Sequence, residues 1–151
     1  MLFRSTSATA GNPPPTAEVG LTNATGQNIS YMFPWDTSIT AVDLHFVFAQ
    51  SATSSGNFQF QAFLLCNTLG TSIRAGTWTP GTTSTTSPIV APGTANTGIS
   101  VTITGINIPA CAANSPMVLN LTRDQAVTSG SNNADDARLY TGSIMVTRTL
   151  P

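Results

Sequence analysis

Alternation of apolar and polar residues with a period of two dominates the middle of the chain. In Thr40–Phe48 the side chains of Val42, Leu44, Phe46 and Phe48 fall on one face of an extended strand, with Ala41, Asp43, His45 and Val47 on the other. Asn57–Cys66 repeats the pattern, setting Phe58, Phe60, Ala62, Leu64 and Cys66 against Gln59 and Gln61. The polar stretch QSATSSGN between them reads as a hairpin connection, so the two runs are expected to pair antiparallel. Ile29–Pro34 predicts a short strand closed by its proline.

Further along, Ile99, Val101 and Ile103 share one face, and after Gly105 the apolar positions Ile106 and Ile108 change phase. A glycine at a phase change predicts a bulge or a strand that switches sheets. Met117–Thr122 and Leu139–Arg148 complete the set and are expected to form two strands of one hairpin. Between Asn67 and Gly98 turn formers dominate, and Pro80, Pro88 and Pro92 interrupt the apolar pieces at Ile73, Trp78 and Ile89–Val90. Short edge strands and long loops are expected there.

No segment carries a helical period, and no repeat of solenoid or propeller length is visible. About six to eight short strands separated by Gly, Pro, Ser and Asn turns predict an all-β, antiparallel two-sheet β-sandwich. Residues 1–27 differ: Ser, Thr, Ala, Gly and Pro alternate, and Pro13–Pro15 favours polyproline geometry. The expected organisation is an extended N-terminal arm over 1–27 and a sandwich domain over 28–151. The chain is long enough to bury roughly 70% of its unfolded surface, so a core is expected without help from a metal or a disulfide.

Charge changes the picture mostly by its scarcity. Charged residues are 7% of the chain, the formal net charge is -1, and lysine is absent. A typical globular protein carries about 25% charged residues. Serine and threonine supply about a quarter of the residues, which predicts a neutral, hydroxyl-rich surface insensitive to salt and pH. Without a basic run there is no counterion-release term for nucleic acid and no attraction to an anionic membrane. The segment MLFRSTSATAGNPPP has no apolar core of the length a secretory signal needs, so synthesis in the cytoplasm or processing of a longer chain is expected.

The scarce charges collect in one place. Arg123, Asp124, Asp135, Asp136 and Arg138 lie in or beside the polar connection between the last two strand runs. Asp124, Asn132, Asn133, Asp135 and Asp136 lack the spacing of an EF-hand loop. Pairing of the two arginines with these carboxylates, within a subunit or between subunits, is the expected arrangement, with no metal and no cofactor.

Other chemistry is thin. His45, the only histidine, shares a strand face with Asp43, but no nucleophile motif accompanies it and Cys66 is assigned inward, so no catalytic residues are assigned and no enzyme is expected. Cys66 and Cys111 lack metal-ligand spacing and are either free thiols or a disulfide. Trp35, Trp78, Tyr31 and Tyr140 are candidates for a sugar-stacking platform, with Trp78 the candidate glycan or receptor contact. Sequons at Asn23, Asn28 and Asn120 are what a chain so rich in Asn, Ser and Thr produces by chance.

The C-terminal third, with Leu119-Asn120-Leu121-Thr122-Arg123-Asp124, then Asp135-Asp136, then Leu139–Arg148, resembles a recurring kind of phage virion domain. In that kind a strand ending in Arg-Asp leads through an acidic connection to a last long strand. FPWD, VDLHFVF and NFQFQAF resemble its opening strands, so the similarity spans roughly residues 29 to 149.

The resemblance implies a jelly-roll appendage protein of the virion, usually trimeric: a head decoration or cement protein, a head fibre, or a tail-tip knob. The implied partners are further copies of itself and the major capsid protein or another virion protein, with the virion as location. The arm tip, Leu2, Phe3 and Arg4, is then the candidate capsid anchor. A receptor- or glycan-binding knob is the alternative, and a secreted carbohydrate-binding module a third. The missing basic arm argues against a shell that packages RNA, and the missing lysines remove amine-based cross-links between subunits.

Overall fold

The structure is a computed structural model that describes residues 19–21, 28–34, 36–67, 70 and 78–149. Strands β1 (Val19–Leu21), β11 (Ala137–Arg148), β3 (Ile39–Gln50) and β9 (Gly98–Ile103) lie side by side in that order in one sheet. The second sheet runs β2 (Asn28–Pro34), β10 (Pro116–Arg123), β5 (Phe60–Asn67) and β6 (Trp78–Pro80), and β7 (Ser84–Thr85) also pairs with β5. β4 (Asn57–Phe58) and β8 (Ile89–Val90) form a short separate ladder. Every ladder between strands is antiparallel, and there is no helix among the described residues. The protein is an all-β sandwich.

The inward faces are those the alternation predicts. Val42, Leu44, Phe46 and Phe48 of β3 are buried against Phe58, Phe60, Ala62 and Leu64. Their rings meet edge to face: Phe46 and Phe60 have centroids 5.0 Å apart, Phe48 and Phe58 5.0 Å, and Phe48 and Phe60 4.8 Å. Such aromatic pairs add about 0.5–1.5 kcal/mol each beyond the area they bury. Leu119 and Leu121 of β10 belong to the same buried core.

Strand pairing departs from both expected hairpins. β3 and β5 do not pair. They lie in opposite sheets and face each other through the phenylalanines, because the connection 51–56 bonds to a distant segment instead of closing on itself. Ser51 N donates to Asp136 O (3.0 Å), and Ser54 N and Oγ donate to the Asp135 carboxylate (2.9 and 2.7 Å). β10 and β11 likewise belong to different sheets, β10 between β2 and β5 and β11 between β1 and β3.

The arm boundary also shifts. Val19–Leu21, within the stretch expected to be an extended arm, form β1 on the edge of β11, and Leu21 is buried. At Gly105, whose φ of 62° is in the left-handed region, the chain re-aims so that Ile106 returns to the same core as Val101 and Ile103. Asp43 Oδ1 accepts from Gly105 N (2.7 Å), and Val42 O accepts from Ile106 N (2.9 Å). The phase change is a local bulge and not a change of sheet.

Cys66 and Cys111 form a disulfide with Cα atoms 6.1 Å apart. It ties the end of β5 to the irregular segment that leads into β10, across a sequence separation of 45. By the chain-entropy argument a loop of that length contributes about 4 kcal/mol.

Candidate functional site

Twelve-residue β3 runs the length of the sandwich, about 36 Å at 3.3 Å per residue. The chemistry of the molecule divides between its two ends.

At the end where β3 and β10 finish and β5 and β11 begin, the connection 124–136 folds around Arg123. The side chain is buried, 6% exposed. Its guanidinium donates to the carbonyls of Asp135 and Asn133 and to Asn132 Oδ1 (3.1 Å), and lies 4.6 Å from the centroid of the Phe58 ring. Burial lowers its pKa from the ordinary value, while the charges of Asp136 and Asp135 oppose that shift. An arginine in this position remains a cation.

The carboxylates nearby are used up by neutral donors. Asp135 accepts from Ser54, and Asp124 accepts from Gln61 Nε2 (2.8 Å) and Ala126 N (2.9 Å). Asn133 Nδ2 donates to Ser54 O (2.9 Å), and its Oδ1 accepts from Asp135 N (2.7 Å). Buried Gln59 accepts from Thr128 N and donates to Thr86 O, both at 2.8 Å. Within the chain Arg123 holds backbone carbonyls and an amide and not a carboxylate, because β10 delivers it beneath the loop where the chain presents its oxygens inward. Asp136 contributes its backbone, to Ser51, and Arg138 sits in the ladder between Gly20 and Ala49. Among the described residues no group of three or more His, Cys, Asp or Glu could hold a metal ion.

At the other end an apolar groove of about 220 Å³ opens between the sheets, lined by Phe33, Ile39, Ile144, Val146 and Arg148. Its position follows from a bulge. The register of β11 on β3 slips between Leu139 and Thr141, so Tyr140 is the extra residue. Beyond it Gly142, Ile144 and Val146 lie opposite the inward-facing Phe46, Leu44 and Val42. A Cβ at Gly142 would come 3.2 Å from the Tyr31 hydroxyl, so a larger residue there would push the tyrosine aside by a few tenths of an ångström. Burial raises the pKa of that phenol above its ordinary value. At the rim Arg148 forms an ion pair with Asp36, whose carboxylate also accepts from Ser38 N (2.8 Å), and Arg148 Nη1 donates to Ser38 Oγ (3.0 Å). These bonds, the Ser38 N–H first, hold the Asp36 carboxyl below the usual carboxylate range.

On the outer face of β3, His45 Nε2 and Ser100 Oγ of β9 share a hydrogen bond of 2.8 Å. Asp43 faces the same way, but its Oδ1 accepts from Gly105 N. The histidine thus has a hydroxyl partner that the sequence pattern did not single out, because β3–β9 pairing joins residues 55 apart. The pair sits on an exposed strand face.

The aromatic candidates are dispersed. Trp78 lies on β6 and Tyr31 on β2, at opposite edges of one sheet, and Tyr140 is in the other sheet. They form no common platform, and Trp35 lies outside the described residues, as do Leu2, Phe3 and Arg4 of the candidate anchor. The groove residues escaped the sequence reading because their exposure depends on the Tyr140 bulge; the one local signal was the shift from Leu139 to the Ile144/Val146 phase.

The chain matches no known family model, no curated protein and no solved structure.

Proposed function

We propose that the chain is a non-enzymatic structural protein of a phage particle, a capsid decoration protein that binds the capsid surface as a trimer and stabilises it. The observation that carries this reading is the strand order. The first strand lies beside the last, and in the facing sheet the second lies beside the last but one; β3 and β9 complete one sheet and β5 and β6 the other. This order supports reading the sandwich as two interlocked Greek keys, the jelly-roll plan used by viral capsid proteins and by lectins. The neutral, hydroxyl-rich composition supports a particle that meets changing salt and pH. The disulfide suits a protein that acts outside a reducing cytosol.

A decoration protein stabilises by mass action, since it binds the assembled shell and not its separated subunits. The test is to add purified protein to capsids that lack it. Saturable co-sedimentation and a raised capsid melting temperature are expected, and absence of binding removes the assignment. Light scattering of the free protein checks the trimer, against which a 15.6 kDa monomer would count.

Trp78, half-buried on edge strand β6, favours the second reading, a receptor- or glycan-binding knob. That reading requires binding to host cells or a glycan array that Trp78→Ala abolishes, without binding to capsids.

A further inference from the structure

The two sheets differ on the side turned away from the core. In the sheet of β1, β11, β3 and β9 the outward positions include Asp43, His45, Ser100, Thr102 and Ser143, as a solvated antiparallel sheet should. The facing sheet does not follow this pattern. Ile29, Tyr31, Leu119, Leu64 and Cys66 turn toward the core, so alternation turns Met32, Val118, Phe63 and Leu65 outward. From Ala62 to Cys66, β5 is therefore apolar on both faces, the pattern of a strand covered on both sides.

The register gathers these side chains. Met32 is opposite Val118, Val118 opposite Leu65, and Leu65 opposite Pro80, while Phe63 stands in the next row opposite Asn120. Met32 is 60% exposed, Pro80 is exposed, and Phe63 and Leu65 are partly exposed. Contiguous apolar surface of this kind marks a contact. The row lacks the polar groups that orient a sugar or a small ligand, so another apolar protein surface fits it better.

Its chemistry and size suit further copies of the same chain. The row carries no charge, and its neighbours Ser30, Asn120 and Gln61 are neutral, so identical faces meet without like-charge repulsion and with a polar rim around an apolar centre. Four strands make a face about 19 Å wide, and the seven residues of β2 make it about 24 Å long. The projected area, about 450 Å², is over half of the roughly 800 Å² that a stable contact takes from each partner, before side-chain relief is counted. Three faces of that width, set as the sides of a triangle, stand about 5 Å from its axis, half of the spacing of about 10 Å between packed sheets.

We propose that the outer face of β2, β10, β5 and β6, centred on Met32, Val118, Phe63 and Leu65, is the contact between copies of this chain, three such faces closing on a common axis. The inference rests on the trimer of the proposed function and holds whatever that trimer binds.

Two measurements on the full chain test it. By light scattering the native protein should be three times the 15.6 kDa chain. Met32→Glu/Leu65→Glu should be a monomer with an unchanged circular-dichroism spectrum, because like charges then meet across the contact and weaken association by about 100-fold or more. Thr102→Glu, on the outer face of the other sheet, should remain a trimer. A trimer that survives the double substitution, or that a folded Thr102→Glu breaks, overturns the contact and leaves the trimer standing; a native monomer overturns both. The second measurement treats the native trimer with dilute hydrogen peroxide and reads methionine oxidation by peptide mass. Met145, 46% exposed on the other sheet, should oxidise about ten-fold faster than Met32, although Met32 is the more exposed in the single chain. Equal or faster reaction at Met32 overturns the proposal even if the double variant fails to fold.

Discussion

The two ends of the sandwich are held together by different physics. At the Arg123 end a thirteen-residue connection has almost no apolar residues to bury, and its order comes from a polar network in which a buried cation satisfies inward-turned carbonyls. Among the described residues the groove end is held by the Cys66–Cys111 disulfide and by the exposed Arg148–Asp36 pair with its Ser38 hydrogen bonds. A buried hydrogen-bond network is cooperative and fails as a unit when one member is removed. A covalent link acts chiefly on the unfolded chain and leaves the folded end free to be open. The groove and the disulfide thus lie at one end, and the polar cap around Arg123 at the other.

Breaking the disulfide should give the largest effect. Cys66→Ala/Cys111→Ala is expected to cost about 4 kcal/mol in urea unfolding, with hydrogen exchange rising first in 60–67 and 104–117 and not in 124–136. Uniform loosening at both ends would show that the link does not act locally.

Arg123→Ala comes next. It leaves the carbonyls of Asn133 and Asp135 without their donor and removes the cation over Phe58, and two buried acceptors at about 1–3 kcal/mol each predict a loss of about 3 kcal/mol. The loop 124–136 should lose exchange protection while β2 and the groove keep theirs. An unchanged melting curve would mean that the loop is held by its carboxylate and amide contacts alone.

The smallest effect belongs to the exposed ion pair at the groove rim. The Asp36 pKa is lowered in the folded state, so the unfolded chain binds its proton more readily. The associated stability is fully present above the ordinary carboxylate pKa and is lost as pH falls through the depressed folded value. Thermal melts of the native protein and Asp36→Asn should therefore differ near neutrality and converge in acid. A difference that persists at the acid limit would assign the effect to something other than this titration.

Particular residues show how much of this was legible in the sequence. The inward set of β3 and β5 could be read directly, since whether Phe46 or His45 faces the core depends only on alternation within its own strand. The collection of charge around 123–138 was equally plain, yet its chemistry was not, because the partners of Arg123 are backbone oxygens that every residue carries. Cys66 and Cys111 allowed both free thiols and a bond, and only placing both at one end of the sandwich decided between them. The groove depended on Tyr140, where nothing in the residue itself announces a bulge.

What the sequence determined by itself is which side of each strand meets the core, the absence of helix among the described residues, and a nearly uncharged composition; these are local or additive properties. The tertiary structure decided which strands become neighbours. Short polar connections made β3–β5 and β10–β11 look like hairpins, and both pairs were sent to opposite sheets. Pairing is settled by long-range ladders, such as β11 on β3 and β10 on β5, and by loops that bond to one another across the end of the sandwich, as 51–56 does with 131–136. Alternation sets the face of a strand without specifying its partner, and so the same pattern is compatible with a hairpin and with two strands facing each other across a core.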